Sequence, residues 1–333
     1  MHLEQENQAQ QHKRRVRYKG KYPKKFEEKY KELQPEKYQD TVQHVIRKGN
    51  TPAGMHISIM VKEILDFLQI QPGETGFDAT LGYGGHTKAM LECLKGQGHM
   101  YATDVDPIES AKTKKRLADA GFGEDILTIR LQNFCTIDEI AKEAGGFDFV
   151  LADLGVSSMQ IDNPDRGFSF KVDGPLDLRL NPEKGISAAE RLAQIDEDEL
   201  AGMLWENSDE PYAEELAHAI VTERKHGKPI DTTTRLREVI EETLSFLPEK
   251  EKKDTVKKTC QRTFQALRID VNNEFEVLYE FMEKLPGALK PGGRAAILTF
   301  HSGEDKLVKK ALKQGYKEGV YSEIANDVVR PSA

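Results

Sequence analysis

The sequence predicts a doubly wound α/β fold that is interrupted by a helical insertion. Three observations support this prediction. A glycine-rich turn, FDATLGYGGH at Phe77–His86, lies between a β-prone segment and a helical one. Short apolar segments then alternate with helical patterns as far as Asp153, and this alternation is typical of a parallel sheet. Helical patterns alone follow between about Gln160 and Arg268, and a last strand pattern comes after them.

Composition and charge narrow the class of protein before any motif is considered. Of the 333 residues, 38% are hydrophobic and 31% are charged, which predicts a soluble globular protein with a heavily charged surface. No run of about 18 apolar residues occurs and the N-terminus is polar, so we expect neither a membrane span nor a signal peptide. The three cysteines lie far apart and the histidines lack metal-site spacing, so we expect no disulfide framework and no metal. These features suit a cytoplasmic protein.

The first 50 residues form a predicted extension with its own charge pattern. The net charge of the chain is −8, which argues against a protein that coats nucleic acid non-specifically. Between Gln11 and Lys25, however, eight Lys and Arg residues occur without an acidic one, and Tyr18 and Tyr22 lie among them. Basic residues mixed with aromatic ones can hold phosphates and stack on bases. A solvated, disordered tail is the alternative interpretation.

The first half of the chain alternates between predicted helices and strands. An amphipathic helix over Ile59–Leu68 is ended by Pro72-Gly73, and the glycine-rich turn follows. Pro107 suits the first turn of a helix that runs to about Ala120. The fourth predicted strand is almost continuously apolar, as expected of a parallel strand buried on both faces. The first predicted strand ends at Asp78, and the other three span His99–Asp104, Ile126–Leu131 and Phe147–Asp153.

The glycine-rich turn lies where a fold of this type binds a nucleotide. Glycine lets the backbone turn tightly and approach a ligand without a Cβ atom in the way. Asp104 lies 22 residues beyond Gly82, where such folds place a carboxylate that accepts both hydroxyls of a ribose. Dinucleotides and S-adenosylmethionine are the two candidate ligands. The turn lacks the third glycine of a dinucleotide site, and an acid at the end of strand two with Asp153 after strand four fits S-adenosylmethionine better.

The second half of the chain begins with the helical insertion. Four helical patterns occur in it: ISAAERLAQ, DELAGMLWEN, YAEELAHAIVTER and TTRLREVIEETLSFL. Trp205 and Cys260 are predicted to belong to its core. The sheet then resumes with a helix around Asn273–Leu285, the turn Lys290–Gly293 and a strand over Arg294–Phe300, and an amphipathic helix begins near Glu304.

These patterns predict three parts of the chain. Residues 1–50 are the basic, partly disordered extension. Residues 51–160 and 269–333 together form the sheet domain, which carries the ligand site. Residues 161–268 form the inserted helical subdomain.

Several further segments stand in a fixed order along the chain. They are DLGVSSMQID at Asp153–Asp162, RGFSF at Arg166–Phe170, DGPLDLR at Asp173–Arg179, RTFQALRI at Arg262–Ile269 and FHSGED at Phe300–Asp305. Together with FDATLGYGGH, they resemble the ribosomal RNA small subunit methyltransferase H family, which is also called MraW. The resemblance covers roughly His56 to the C-terminus. Several independent motifs in order make it far more specific than a glycine turn alone.

The resemblance implies a class I methyltransferase (Rossmann-like) fold and the transfer of a methyl group from S-adenosylmethionine to N4 of a cytidine. The implied partner is small-subunit (16S) rRNA or the 30S ribosomal subunit. Asp104 is then expected to bind the ribose hydroxyls of S-adenosylmethionine, and Phe134 is expected to lie near the adenine. Three residues of the turn are expected to line the aminoacyl side of the cofactor. The residues implied to bind the cofactor are Gly84, Gly85, His86, Asp104, Phe134, Asp153 and Gln160.

The chemistry of this reaction indicates what the site must contain. Because the sulfonium is already an activated donor, the enzyme mainly aligns an in-line displacement and excludes water. The lone pair of the cytosine amine is delocalised into the ring. A group that accepts a hydrogen bond from the amine N–H localises this pair on the nitrogen and stabilises the positive charge that develops there. Asp153, at the end of the fourth strand, is the candidate catalytic residue. Binding of the cofactor alone is the alternative role for Asp153.

A base within folded RNA must be splayed out to reach the methyl group, so cations are expected around the pocket. Arg166, Arg179 and Arg268 are the candidate substrate-binding residues, although a structural salt bridge is the favoured role for each one taken singly. His301 is a weaker candidate for a proton acceptor, and a capping or packing role is favoured for it.

The sequence departs from the family pattern at several positions. Met159 stands where a proline usually follows the paired serines, and Gly303, Lys306 and the segment Asn207–Glu210 also differ. Most of these positions lie outside the predicted cofactor pocket, and they are compatible with a divergent second branch of the family. A ribosome-assembly or RNA-binding factor that keeps the fold without turnover is the alternative function. The turn disfavours a nicotinamide oxidoreductase.

Overall fold

In the computed structural model of the protein, residues 58–331 are described, and the predictions for residues 1–50 lie outside this range. Five strands form the sheet of the described part. The predicted bounds of the second and fourth strands are the observed ones, and the third begins one residue later than predicted. The strands are β1 (Thr75–Asp78), β2 (His99–Asp104), β3 (Leu127–Leu131), β4 (Phe147–Asp153) and β5 (Leu289–Leu298).

The sheet has the order β3-β2-β1-β4-β5, and all neighbouring strands are parallel. Because β1 has β2 on one side and β4 on the other, the strand order reverses at this point and leaves a crevice at the carboxyl ends. Asp78 is paired with Ala102 of β2 and with Leu151 of β4. Asp104 and Asp153 therefore each lie two residues beyond the level of Asp78, on either side of the glycine-rich turn.

The fifth strand is longer than predicted and contains an irregularity. Phe147 is paired with Leu289, and Phe149 is paired with Arg294. Between these two pairs, β5 therefore contains more residues than β4. The predicted turn Lys290–Gly293 supplies these extra residues as a bulge within the strand. The strand also ends two residues before the predicted end.

Helices account for most of the remaining described residues, and most of them coincide with helical patterns of the sequence. The twelve α-helices of residues 58–331 are α1 (Val61–Leu68), α2 (Gly85–Leu94), α3 (Pro107–Asp119), α4 (Ile137–Ala144), α5 (Ser158–Asp162), α6 (Ala188–Gln194), α7 (Glu197–Ser208), α8 (Ala213–Lys225), α9 (Thr233–Thr243), α10 (Glu249–Asn272), α11 (Glu274–Ala288) and α12 (Ser302–Lys317).

Both faces of the sheet are covered, which confirms the doubly wound α/β prediction. On one face α1, α2 and α3 bury residues such as Leu68, Met90 and Leu117 against the strands. On the other face α4, α11 and α12 form a second apolar core that includes Phe281 and Leu285. Parallel strands buried on both faces need apolar side chains in both directions, which explains the near-continuous apolar sequence of β4.

Helices α6 to α10 enclose a third apolar core of their own. The 24-residue helix α10 was not assigned from the sequence, because its first turns are highly charged and its apolar residues are sparse. Val256, Cys260, Phe264 and Leu267 nevertheless recur at helical spacing and are buried. All described residues belong to one compact unit, so the separate helical subdomain over residues 161–268 stays a prediction.

One of the two core predictions for this segment is wrong. Cys260 is 1% exposed, as expected, but Trp205 is 58% exposed. Helix α7 buries Leu200, Met203 and Leu204, and a residue one position further along is rotated by about 100° toward solvent. Within residues 58–331, no helix combines the length and the apolar composition needed to cross a bilayer.

Candidate active site

The candidate site surrounds the bend between β1 and α2, at the carboxyl ends of the strands. Asp78, the last residue of β1, is fully buried beneath this bend. Its carboxylate accepts hydrogen bonds from the Thr87 hydroxyl at 2.6 Å and from the Thr80 N–H at 3.0 Å. Burial raises the pKa of Asp78, although both hydrogen bonds act in the opposite direction. Asp78 therefore holds the bend onto the first turn of α2.

The glycines of the bend are required by close packing as well as by backbone geometry. Gly84 has φ +83°, and a Cβ atom there would lie 2.6 Å from Cγ2 of Thr113 on α3. A Cβ atom on Gly85 would lie 2.1 Å from Oγ of Ser58. Both positions thus let the start of α2 approach its neighbours without a side chain in between.

Asp104 lies at the tip of β2, beside the bend. One carboxylate oxygen accepts the Gly82 N–H and the other accepts the Asp106 N–H, each at 2.8 Å. Burial raises the pKa of Asp104 to about 6, against the opposing effect of these two amides. Each carboxylate oxygen can accept a second hydrogen bond, so Asp104 can still take two hydroxyl donors. This capacity matches the ribose contact predicted for it.

His86 and Asp153 form a pair between the start of α2 and the tip of β4. The imidazole is 7% exposed, with Nε2 2.8 Å from the Ile59 carbonyl oxygen and Nδ1 3.3 Å from Oδ2 of Asp153. Burial lowers the pKa of His86, but the carboxylate and the carbonyl outweigh it, so the pKa of His86 is raised. Both ring nitrogens are engaged by the protein.

The second carboxylate oxygen of Asp153 has a different environment. Oδ1 is buried and has no hydrogen-bond partner among residues 58–331. A buried polar atom without a partner is costly in a folded protein unless a ligand or water satisfies it. Asp153 therefore presents one acceptor that is occupied by His86 and one that is available for a donor.

Asp106 organises the site, although it was not among the residues predicted from the sequence. It is 1% exposed and caps α3 by accepting the N–H groups of Ile108 and Glu109. Its other oxygen accepts Nε2 of Gln160 at 3.0 Å and Nη1 of Arg166 at 2.7 Å. An aspartate directly before a proline at the start of a helical pattern is typical of a helix N-cap, so a signal for the capping role was present.

Two further predicted cofactor residues lie at the same edge of the sheet. Gln160 forms a capping box with Ser157 at the start of α5, and its amide nitrogen reaches Asp106. Gln160 thereby joins the segment after β4 to the segment after β2. Phe134 follows β3, and its ring meets that of Phe281 edge-on at a centroid distance of 5.2 Å.

The three candidate substrate-binding arginines are each held by a carboxylate of the protein. Arg166 is buried against Asp106. Arg179 forms two hydrogen bonds with Asp177, at 2.8 and 2.7 Å. Two bonds of 2.8 and 2.9 Å join Arg268 to a glutamate at the start of α11. These contacts agree with the salt-bridge role that was favoured for each arginine singly, and contact with RNA stays a prediction.

One group of three potential metal ligands occurs within residues 58–331, formed by Glu274, His301 and Glu304. The guanidinium of Arg268 already bonds both carboxylate oxygens of Glu274. A cation added to this group would face that guanidinium at close range, so the cluster is better described as a network of ion pairs.

The charges around the bend indicate which ligand fits. Asp104 and Asp153 flank the bend at the tips of β2 and β4, the two strands on either side of β1. Two carboxylates favour a ligand with positive charge and disfavour the pyrophosphate of a dinucleotide. The geometry therefore favours S-adenosylmethionine, which is cationic at its sulfonium and carries no pyrophosphate, over a nicotinamide dinucleotide.

Comparison with known proteins agrees with this geometry. The chain matches the model of the MraW methylase family over residues 53–327. It is 81% identical to the ribosomal RNA small subunit methyltransferase H 1 of Agathobacter rectalis, over 98% of this chain and 94% of that protein. Its identity to the protein of the same description from Lachnoclostridium phytofermentans is 70%, over 98% and 90% of the two chains. A ribosomal RNA small subunit methyltransferase H from Thioalkalivibrio sulfidiphilus is 39% identical, over 79% and 81%. The resemblance found in the sequence motifs is thus confirmed, and the protein belongs to the MraW methylase family.

Proposed function

We propose that the protein is an S-adenosylmethionine-dependent methyltransferase that modifies N4 of a cytidine in small-subunit (16S) rRNA. The names of its relatives support the substrate class, since they describe methyltransferases of small-subunit rRNA. The observation that carries the proposal is the Oδ1 atom of Asp153, a buried acceptor without a partner in the described structure at the end of β4. An enzyme that modifies rRNA works where ribosomes are assembled, so we also propose a cytoplasmic location.

The residues around the bend fit S-adenosylmethionine. Asp104 has two lone pairs available for the ribose hydroxyls, and Phe134 presents an aromatic ring at the same edge of the sheet. Gly84 and Gly85 let the bend pack closely against Thr113 and Ser58, which holds its backbone in place on the proposed aminoacyl side. Gln160 retains one amide hydrogen beyond its contact with Asp106. When bound, S-adenosylmethionine supplies an activated methyl group on its sulfonium.

Asp153 is proposed to act on the amine that receives the methyl group. The His86 ring occupies Oδ2 and fixes the orientation of the carboxylate. Oδ1 then accepts an N–H of the exocyclic amine, which localises the lone pair of the nitrogen toward the methyl donor. As the nitrogen gains a methyl group it loses one proton, and Oδ1 is the acceptor nearest to that proton in this arrangement. The proton subsequently passes to solvent, which returns Asp153 to its starting state.

The cofactor contact of His86 is proposed to involve its backbone. Both imidazole nitrogens are engaged within the protein, by Ile59 and by Asp153. The side chain therefore orients the carboxylate, and the residue belongs to the bend that lines the aminoacyl side. This division of roles accommodates both the implied cofactor contact and the observed hydrogen bonds.

Methyl transfer by the purified full chain tests the proposal. The protein is incubated with labelled S-adenosylmethionine and either naked 16S rRNA or 30S subunits, and the modified nucleoside is identified by mass spectrometry. We expect a cytidine methylated at N4. The Asp153→Asn variant keeps an acceptor for His86 but presents an amide in place of the second oxygen. We expect its turnover to fall by about 10²- to 10⁴-fold while cofactor binding changes by only a few-fold.

Two results would contradict this proposal in different ways. Cofactor binding without transfer to either RNA would support the alternative of a non-catalytic assembly or RNA-binding factor. Near-normal turnover of Asp153→Asn would leave the methyltransferase activity intact but limit Asp153 to binding the cofactor. Comparison of naked rRNA with 30S subunits also identifies the form of the substrate.

A further inference from the structure

We propose that the Phe300 ring is the surface on which the target nucleobase stacks beside Asp153. This inference rests on the proposed function and adds a subsite for an unpaired, planar pyrimidine base to it. Chemistry on a base requires the base to leave its helical stack, and enzymes commonly receive such a base between apolar or aromatic side chains. Three features of Phe300 support this assignment: its position, the packing of the backbone that carries it, and the exposure of its ring.

The position of Phe300 follows from the register of the sheet. Asp153 of β4 is paired with Leu298 of β5, and Phe300 lies two residues beyond that pair. The ring lies beside the segment that follows Asp153, because Cδ2 is 3.8 Å from the place where a Cβ atom on Gly155 would be. The aromatic surface therefore adjoins the strand end that carries the candidate catalytic carboxylate.

Gly155 keeps this side of the ring uncovered. Its φ of +90° is one that residues with a side chain rarely adopt. A Cβ atom at this position would be in ordinary van der Waals contact with the Phe300 ring. Any side chain at residue 155 would thus begin against the ring and extend over space that a stacked base needs.

The backbone that carries Phe300 is firmly held, although the ring is exposed. The Phe300 N–H donates to Oε2 of Glu304 at 2.8 Å, and Glu304 is 3% exposed. His301 caps α12, as predicted, and its ring meets that of Phe275 at 5.7 Å. A Cβ atom on Gly303 would lie 2.5 Å from the same Phe275 ring, so this turn is closely packed. A platform that is ordered before the base arrives lowers the entropic cost of binding.

Exposure of a single phenylalanine is common, so its location is what distinguishes Phe300. Three phenylalanines in residues 58–331 are exposed by more than a third: Phe67 at 47%, Phe246 at 63% and Phe300 at 57%. Phe67 lies near the end of α1, whose Leu68 carbonyl contacts Arg294 at the start of the regular part of β5. Phe246 lies in the helical segment after α9. Phe300 alone among the three follows a strand at the carboxyl edge of the sheet.

The test compares Phe300→Ala and Phe300→Trp with the matched control Phe67→Ala in the full chain. Loss of one stacking partner is expected to lower kcat/KM for the RNA by about 10- to 100-fold in Phe300→Ala. The tryptophan variant retains a stacking surface, so we expect it to remain within about threefold of the parent. Phe67→Ala is expected to match the parent. Calorimetry should show unchanged affinity for S-adenosylmethionine in all three, which also verifies that they are folded.

A second measurement separates failure of this inference from failure of the proposed function. A short single-stranded RNA with one fluorescent cytidine analogue is bound to the parent and to each variant, and stacking on an aromatic ring quenches the analogue. Quenching in the parent but not in Phe300→Ala supports the subsite, even if no RNA is methylated. Equal kcat/KM and equal quenching in Phe300→Ala and Phe67→Ala would overturn it. Equal losses in the alanine and tryptophan variants would overturn it as well.

Discussion

Gly84 shows how a missing side chain positions the cofactor bend. Its φ of +83° suits glycine, and the Thr113 methyl group occupies the space that a Cβ atom would need. The hydroxyl of the same threonine donates to the Gly82 carbonyl at 2.6 Å. Helix α3 thus packs directly onto the bend, so its position and the backbone of the bend depend on each other.

Replacement of Gly84 by alanine should therefore be more costly than its backbone conformation alone explains. We expect Gly84→Ala to lower the free energy of unfolding by about 2–4 kcal/mol, since strain and a steric clash add. Gly96→Ala is the matched control, because Gly96 has φ +74° but no atom near its Cβ position. This control should cost about 1 kcal/mol in urea denaturation. Equal losses in the two variants would show that the contact with Thr113 is unimportant.

The raised pKa of Asp104 predicts a pH dependence of cofactor binding. Burial places this pKa at about 6, so the carboxylate is protonated at lower pH and loses capacity to accept the ribose hydroxyls. We expect the affinity for S-adenosylmethionine to fall by up to about tenfold per pH unit below 6, as measured by calorimetry between pH 5 and 8. Asp104→Asn should bind weakly with little dependence on pH, whereas a parent with a flat profile would contradict the prediction.

The raised pKa of Asp104 also affects the stability of the protein without ligand, and here low pH is favourable. Because the folded pKa of Asp104 is raised, protonation stabilises the fold. This contribution is fully present below the unfolded pKa of about 4 and is lost as the pH rises through about 6. Above about pH 6, the charged carboxylate of Asp104 therefore favours ligand binding but lowers the stability of the fold. Such a conflict between stability and function is common for residues of functional sites.

Among secondary-structure elements, the N-terminus of α3 and the segment after β4 are joined by one buried network. Asp106 caps α3 and accepts from Gln160 and Arg166, which both lie beyond β4. Arg166 also donates to the carbonyl of Leu180, further along the same segment. This network holds two sides of the crevice at a fixed separation.

Removal of Arg166 should therefore leave an unpaired carboxylate inside the protein. We expect Arg166→Met to lower the free energy of unfolding by about 3–5 kcal/mol, because Asp106 remains buried without its partner. Arg179→Met is the control, since its pair with Asp177 is partly exposed and should be worth about 1 kcal/mol. The double variant Asp106→Asn with Arg166→Met should recover part of the loss. A loss of RNA methylation in Arg166→Met at unchanged stability would instead support the substrate-binding prediction.

At the scale of the molecule, residues 58–331 contain three apolar cores within one compact unit. Two of them cover the sheet, and the third lies among α6 to α10. The chain passes from the third core to the sheet through α10, and the ion pair between Arg268 and Glu274 joins the end of α10 to the start of α11. This direct connection predicts cooperative unfolding.

Calorimetry of two core variants tests this cooperativity. Leu216 lies in the helical core and Leu151 in the sheet core, and both are fully buried. Each replacement by alanine should cost about 2–5 kcal/mol. We expect a single transition that shifts to lower temperature in both variants. Two resolved transitions, with only one shifted by Leu216→Ala, would indicate that residues 161–268 unfold as a separate domain.

Patterns of neighbouring residues were sufficient to predict the elements that frame the site. The bounds of β2 and β4 and the start of α3 at Pro107 depend on local alternation, burial and capping, and the structure has them where predicted. The bend between Gly82 and His86 was recognised because backbone geometry restricts such a turn to glycine-rich sequence. The family motifs were equally recognisable in the sequence, since each is a short continuous segment.

Other features depend on side chains that meet only after the chain has folded. Arg166 and Asp106 are 60 residues apart in the chain, and their pairing follows from the strand order and not from local sequence. The exposure of Trp205 was likewise decided by which face of α7 packs against its neighbours. The hydrogen bond of His86 to Asp153 arises because parallel strands bring their carboxyl ends to one edge. Local sequence thus determined the elements and the residue types of the site, whereas packing between distant segments decided which of those residues are paired and which remain available to a ligand.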